Sequence, residues 1–267
     1  MTRPRRARRI AIGNNKGGAR KSTTAVRLAE ALAVLGHKVG IAEMDPQGNA
    51  SRRLGYKDSP TTPTLGDALH PDNCRDGIAA GIWQPCGWNT EYASRISLLP
   101  SRYTLEDRAA EAGHKGAWRR LTRALNGADA HLDFVLIDLQ PSLGHLTQMS
   151  LAAADHVLVP FEPEYDCLEA AVRFRDFVQS SREDLANDWL DVIGYIPSGY
   201  DIRLTSHFEQ LTNARTLFGE LLWDPVPRRS LLMTADQNAQ PLAEINGSGE
   251  IRAVYEILAR RLLEATP

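Results

Sequence analysis

Cysteine is scarce: Cys74, Cys86 and Cys167 are the only three in 267 residues, an odd number at wide spacings. That excludes a disulfide framework and a zinc or iron–sulfur knuckle, and it suits a reducing compartment. Long apolar runs are also lacking. No stretch reaches the ~18–20 uninterrupted apolar residues of a membrane span. The basic start is followed by Gly13, Asn14, Asn15 and Lys16 rather than by an apolar secretory segment, so secretion is not expected. Net charge is close to absent too, at −2 from 31 Lys+Arg against 33 Asp+Glu. What is present is an ordinary globular composition, 43 % apolar and 24 % charged, which excludes wholesale disorder. Roughly 250 residues can bury about three quarters of their unfolded surface in one core, so one domain is expected.

The near-neutral total hides an asymmetry. Residues 1–9 hold Arg3, Arg5, Arg6, Arg8 and Arg9 and no acid. They read as a basic tail, either solvated or phosphate-seeking, ahead of a domain spanning 10–267.

Along the chain, apolar strand patterns alternate with helical ones. Arg9–Gly13 and Lys38–Met44 read as buried strands, with a helix over Lys21–Leu35 between them that Gly36 stops. Further strands are expected near 96–99, 134–137, 156–159 and 192–196, and helices near 105–126, 165–180, 203–218 and 250–264. Such alternation implies βαβ units: an α/β fold, a single doubly wound domain with a mostly parallel sheet and helices on both faces. The stretch 57–87, richer in Pro, Gly, Thr and Asp, reads as an excursion from the core.

Between the first strand and first helix stands Asn15-Lys16-Gly17-Gly18-Ala19-Arg20-Lys21-Ser22-Thr23. A phosphate loop needs this placement. Glycines let backbone N–H groups turn around phosphates, and the helix N-terminus adds partial positive charge. Lys21 would then neutralise the β/γ oxygens, and the Ser22 hydroxyl would ligate Mg²⁺. Asp138 ends an apolar strand, where a lone carboxylate is costly unless it faces a cation. Asp45 also follows a strand, on the sheet edge where open parallel sheets bind ligands.

The loop does not meet G-x-x-x-x-G-K-[ST], whose glycines would fall at Asn15 and Arg20; it meets K-G-G-x-x-K-[ST]. In this it resembles the ParA/MinD family of deviant Walker P-loop ATPases. The resemblance continues through Asp45-Pro46-Gln47-Gly48-Asn49-Ala50, Ile137-Asp138 with Pro141-Ser142-Leu143-Gly144, Glu164-Tyr165, Leu168-Glu169 and Pro227-Arg228. The Asp-Pro-Gln-Gly-Asn and Pro-Ser-Leu-Gly blocks point to the ParA branch of DNA-partitioning ATPases.

The resemblance implies ATP and Mg²⁺ as cofactors, with Lys16, Gly17, Gly18, Ala19, Arg20, Lys21, Ser22, Thr23 and Pro227 about the nucleotide. It implies Ser22, Asp45 and Asp138 about the metal, and Lys16, Lys21 and Asp45 in catalysis. Lys16 would reach the ATP of a second subunit in a sandwich homodimer, acting as extra positive charge where phosphoryl charge develops. It implies a cytoplasmic, nucleoid-associated protein whose ATP-bound dimer binds nonspecific DNA and whose hydrolysis a ParB-like centromere-binding partner stimulates. Arg203 aligns with one DNA-contacting arginine. The other usual position is Leu231, for which Arg229, Arg215, Arg260 or Arg261 could substitute. Arg20 stands where family members have glycine, which bears on hydrolysis and keeps a nucleotide-gated, non-catalytic scaffold as an alternative. A MinD-like membrane-site ATPase is the other, with the last helix as its candidate anchor; packing of that helix on the core is the simpler expectation.

Overall fold

The computed structural model describes residues 6–267. Its strands are β1 (Arg8–Ile12), β2 (Val39–Met44), β3 (Gln84–Pro85), β4 (Ile96–Leu99), β5 (Phe134–Leu139), β6 (His156–Phe161), β7 (Asp191–Tyr200) and β8 (Val226–Pro227). They form one sheet in the order β3-β4-β2-β5-β1-β6-β7-β8. Every pairing is parallel except β3 with β4. The central strands are apolar throughout because helices cover both faces; β2 and β5 are buried at every position.

Alternate strand residues feed two cores. Ile10, Ile12, Ile41, Leu136 and Ile196 pack with the helices α1 (Lys21–Val34) and α9 (Gly249–Ala265). Ala11, Ala42, Val135, Ile137 and Val159 face the other way. There they meet α5 (His145–Ala153), α6 (Tyr165–Ser180) and α7 (Thr205–Phe218). The doubly wound expectation holds. The last helix buries Ile251, Tyr255, Leu258 and Leu262 in the first of these cores. No helix among the described residues is long and apolar enough to cross a membrane.

Three expectations need correction. The helix expected near 105–126 is broken: 3₁₀ turns at Tyr103–Glu111 and Ala117–Arg119 precede a short α4 (Arg120–Leu125). Gly113 and Gly116 lie between them, and Gly116 adopts φ +71°, which a helix interior does not accept. The pattern also left unmarked α2 (Asn49–Arg53), α3 (Leu65–Ala68), α5 and α8 (Ser230–Gln237). Finally, the basic segment is not a free tail over all of 1–9. Arg8 and Arg9 begin β1, Arg9 is buried with Nε 2.8 Å from Asp129, and Arg8 lies 4.2 Å over the Phe134 ring. Arg6 pairs with Asp155. Arg3 and Arg5 lie outside the described residues.

Candidate functional site

The carboxyl ends of β1, β2, β5 and β6 meet at one edge of the sheet, and every candidate nucleotide residue except Pro227 sits on or just after them. The chain leaves β1 through Gly13 and Asn14. Asn14 is fully buried; its Nδ2 donates to the Pro160 carbonyl at 3.0 Å, and its Oδ1 accepts the Lys16 N–H at 3.1 Å. One side chain thus ties the loop's first turn to β6. Gly18 follows at φ +79°, and a Cβ added at Gly17 or Gly18 would meet nothing within 4 Å. The loop is open on the side a phosphate would fill. Helix α1 begins directly after it with no side-chain cap and no acid in its first turn, so its N–H groups and positive pole are left for an anion.

Lys21 is 6 % exposed, and its Nζ donates to the Lys16 carbonyl at 3.1 Å. Burial lowers its pKa, opposed by the negative charges of Asp138 and Asp45. These three groups therefore share one site. Asp138 is wholly buried, and neither carboxylate oxygen has a hydrogen-bond partner among the described residues. Burial pushes its pKa up to about 7, eased by the nearby Ser22 hydroxyl and raised further by Glu43 and Asp45. Glu43 lies directly across the β2–β5 ladder from Asp138. It is held by the N–H groups of Ala50 (2.6 Å), Ser51 and Ser101 (each 3.2 Å) and by the Ser51 hydroxyl. Asp45 is also buried. Its Oδ1 accepts the Gln47 N–H at 3.0 Å, and its carbonyl accepts the Ser101 hydroxyl at 2.5 Å.

A buried, unpartnered carboxylate beside a serine hydroxyl suits a divalent cation. No cluster of three His, Cys, Asp or Glu among the described residues could hold a metal by itself. That fits Mg²⁺, which takes one or two protein ligands and completes its shell with water and nucleotide phosphates. Asp138 and Ser22 are the residues placed to hold it. When bound there it would supply positive charge to the nucleotide's phosphates. Lys21 would supply further positive charge to the same phosphates, and the Asp45 carboxylate would orient water.

The remaining candidates stand further out. The Lys16 side chain is 42 % exposed, with Nζ 3.5 Å from Asp166 at the start of α6. Arg20 takes φ +59°, ψ +29° as the residue preceding α1. For a residue with a Cβ this left-handed conformation costs about 1–2 kcal/mol. Thr23 Oγ1 donates to Asp236 on α8 at 2.6 Å. Pro227 pairs with Tyr200 across β7–β8 and does not line the cavity beside the loop; Leu232, Met233, Asp236 and Gln237 of α8 do. Arg203 is 84 % exposed and grips Asp201 through Nε (2.9 Å) and Nη2 (2.7 Å). Arg229 grips Glu250 at 2.8–2.9 Å. Sequence reasoning missed Asp236, whose carboxylate takes Thr23, Arg27 and Arg53 and joins α8 to α1 and α2. It belongs to no local motif.

A strand, an open glycine loop with a buried lysine, and a buried aspartate on the neighbouring strand define a P-loop nucleotide-binding protein. A family profile described as AAA domain matches residues 7–192. The chromosome-partitioning ATPase Soj of Thermus thermophilus is 32 % identical over 261 residues, covering 97 % of this chain and 96 % of that protein. The chromosome partitioning protein ParA of Myxococcus xanthus is 30 % identical, covering 96 % and 87 %. Cobyrinic acid a,c-diamide synthase of Mycobacterium smegmatis, solved with ADP and magnesium, superposes with a TM-score of 0.78 at 27 % identity, covering 97 % and 94 %. The McdA–ATP complex of Cyanothece shares the fold, at TM-score 0.84 and 21 % identity over 97 % of each chain. The chain belongs to the ParA/Soj family of P-loop ATPases. It is an ATPase with ATP and Mg²⁺ as its cofactors.

Proposed function

We propose that this protein is a partition ATPase whose ATP-bound form is a sandwich dimer that binds DNA without sequence preference and is released when a ParB-like partner stimulates hydrolysis. The observation that carries the reading is the opposed burial of the two loop lysines. Lys21 is enclosed in its own site, while the Lys16 ammonium points outward, loosely paired with Asp166. A lysine in that position can reach a nucleotide held by a second copy and deliver positive charge to its leaving phosphoryl group.

DNA binding on this reading is a phosphate-contact surface, which needs several spread cations and no motif. Arg203 and Arg229 are held by carboxylates in the isolated chain, so a DNA phosphate would displace Asp201 or Glu250. Arg215 and Arg228 are exposed and form no ion pair with any described residue. The relatives named for chromosome partitioning support this assignment over a membrane-site role, as does burial of Ile251, Tyr255, Leu258 and Leu262 of α9. Such a protein would act at the nucleoid. The test is co-sedimentation of the full chain with duplex DNA and with anionic liposomes, each with ATP, with ADP and without nucleotide. The proposal expects pelleting with DNA and ATP alone; ATP-dependent pelleting with liposomes and none with DNA would contradict it.

A further inference from the structure

Arg20 holds a left-handed backbone that glycine would adopt without strain, so its side chain should have a use. The guanidinium is held by groups outside the glycine loop. Nε donates to Glu162 Oε1 at 3.0 Å, just past the end of β6. The same group lies against Gly199 of β7, so close that a Cβ there would stand 2.7 Å from Nε. Neither Nη of Arg20, nor Oε2 of Glu162, makes a hydrogen bond to any described residue.

The pair lines a cavity of about 310 Å³ together with Gly18, Thr23, Met233 and Asp236. Gly18 belongs to the glycine loop and Thr23 to the first turn of α1, so the cavity adjoins the place where phosphates would bind. The Asp236 carboxylate is already taken up by Thr23, Arg27 and Arg53. The Arg20 guanidinium and the second Glu162 oxygen remain open to a ligand on this wall, beside the Gln237 amide.

We infer that Arg20 is a specificity residue that reads the purine of the nucleotide, not its phosphates. Glu162 and Gly199 fix a planar cation against which a purine ring stacks, and the second Glu162 oxygen accepts a hydrogen bond from an amino or ribose hydroxyl donor. The inference rests on ATP being the bound nucleotide, and explains why a strained arginine is kept where glycine suffices for the loop itself.

Calorimetric titration of the full chain with Mg²⁺ and either ATP or inorganic tripolyphosphate separates the two parts of the ligand. Arg20→Gly should raise the Kd for ATP about tenfold, the size of one desolvated cation–π contact, and leave that for tripolyphosphate unchanged. Glu162→Gln should weaken ATP in the same selective way. Arg20→Gly relieves the backbone strain, so loss of folding does not confuse the result. Equal weakening toward both ligands would place Arg20 on the phosphates, and no change toward either would make the latch purely structural; both overturn the inference. Failure of the parent protein to bind ATP would instead overturn the nucleotide reading itself.

Discussion

The buried ammonium of Lys21 is tethered to the backbone carbonyl of Lys16, 3.1 Å away, so the two lysines of the loop are fixed relative to each other while their charges point to different places. Lys21 faces Asp138 and Asp45 inside the site; Lys16 faces out beside Asp166. A phosphate entering the loop replaces the carbonyl as the partner of Lys21 with a stronger, charge-assisted one.

Lys21→Ala should therefore raise the Kd for ATP by at least about 30-fold, the equivalent of one lost hydrogen bond to a charged group. Fluorescent-nucleotide titration measures this directly. Binding within a few-fold of the parent would remove Lys21 from the phosphate site.

Asp138 gives a pH signature. Its folded pKa of about 7 stands above the ordinary 3.8, so the folded, nucleotide-free chain keeps a proton that the unfolded chain releases. Its contribution to stability is complete below the unfolded value and is lost as pH rises through about 7. Mg²⁺·ATP affinity should run the opposite way, rising across the same interval because a metal ligand must be deprotonated. Asp138→Asn should flatten the Tm difference between about pH 5 and about pH 8 in nucleotide-free melts and abolish the Mg²⁺ dependence of ATP binding. An unchanged Mg²⁺ dependence would exclude Asp138 from the metal site.

Asp45 carries its carboxylate on the turn after β2, outside the glycine loop. Asp45→Ala should keep ATP binding and slow turnover by about 10²-fold or more, as removal of a water-orienting carboxylate does. The variant should accumulate in the ATP-bound state, read as unhydrolysed nucleotide retained on gel filtration. Loss of ATP binding would give Asp45 a structural role in the turn it forms with Gln47.

DNA affinity should fall steeply with salt, log K dropping by about 0.9 per duplex phosphate neutralised for each tenfold rise. Arg203→Ala should lower that slope by about one phosphate per chain without altering ATP affinity. Removing residues 2–5, which leaves the paired Arg6, Arg8 and Arg9 in place, tests the basic segment separately. If that deletion ended DNA binding while Arg203→Ala bound normally, the surface about Arg203 would not be the contact.

The parts of this site legible in the sequence are those whose chemistry is local. Asn15 to Thr23 lie on one loop and the first turn of the helix that follows it, and Asp45 and Asp138 announce themselves as acids closing apolar strands. The sheet was legible for a related reason, since strands covered on both faces must be apolar throughout. Asp236 and Glu162 were not legible: each meets its partners across 142 or more residues of chain, and only the packing of α8 and β6 against α1 brings them in. The irregular segment 103–119 was misread because an amphipathic spacing does not reveal that Gly113 and Gly116 interrupt it. The arginine block misled in the opposite sense, since its charge suggested a free arm while Arg9 in fact neutralises a buried Asp129.

The central claim is that Lys16 acts on the nucleotide of a second subunit, and the mass of the protein in solution tests it most directly. Light scattering of the Asp45→Ala protein with Mg²⁺·ATP should give a dimer, and of the Asp45→Ala, Lys16→Ala double variant a monomer that still binds ADP. A double variant that dimerises with ATP as fully as Asp45→Ala alone would contradict the account.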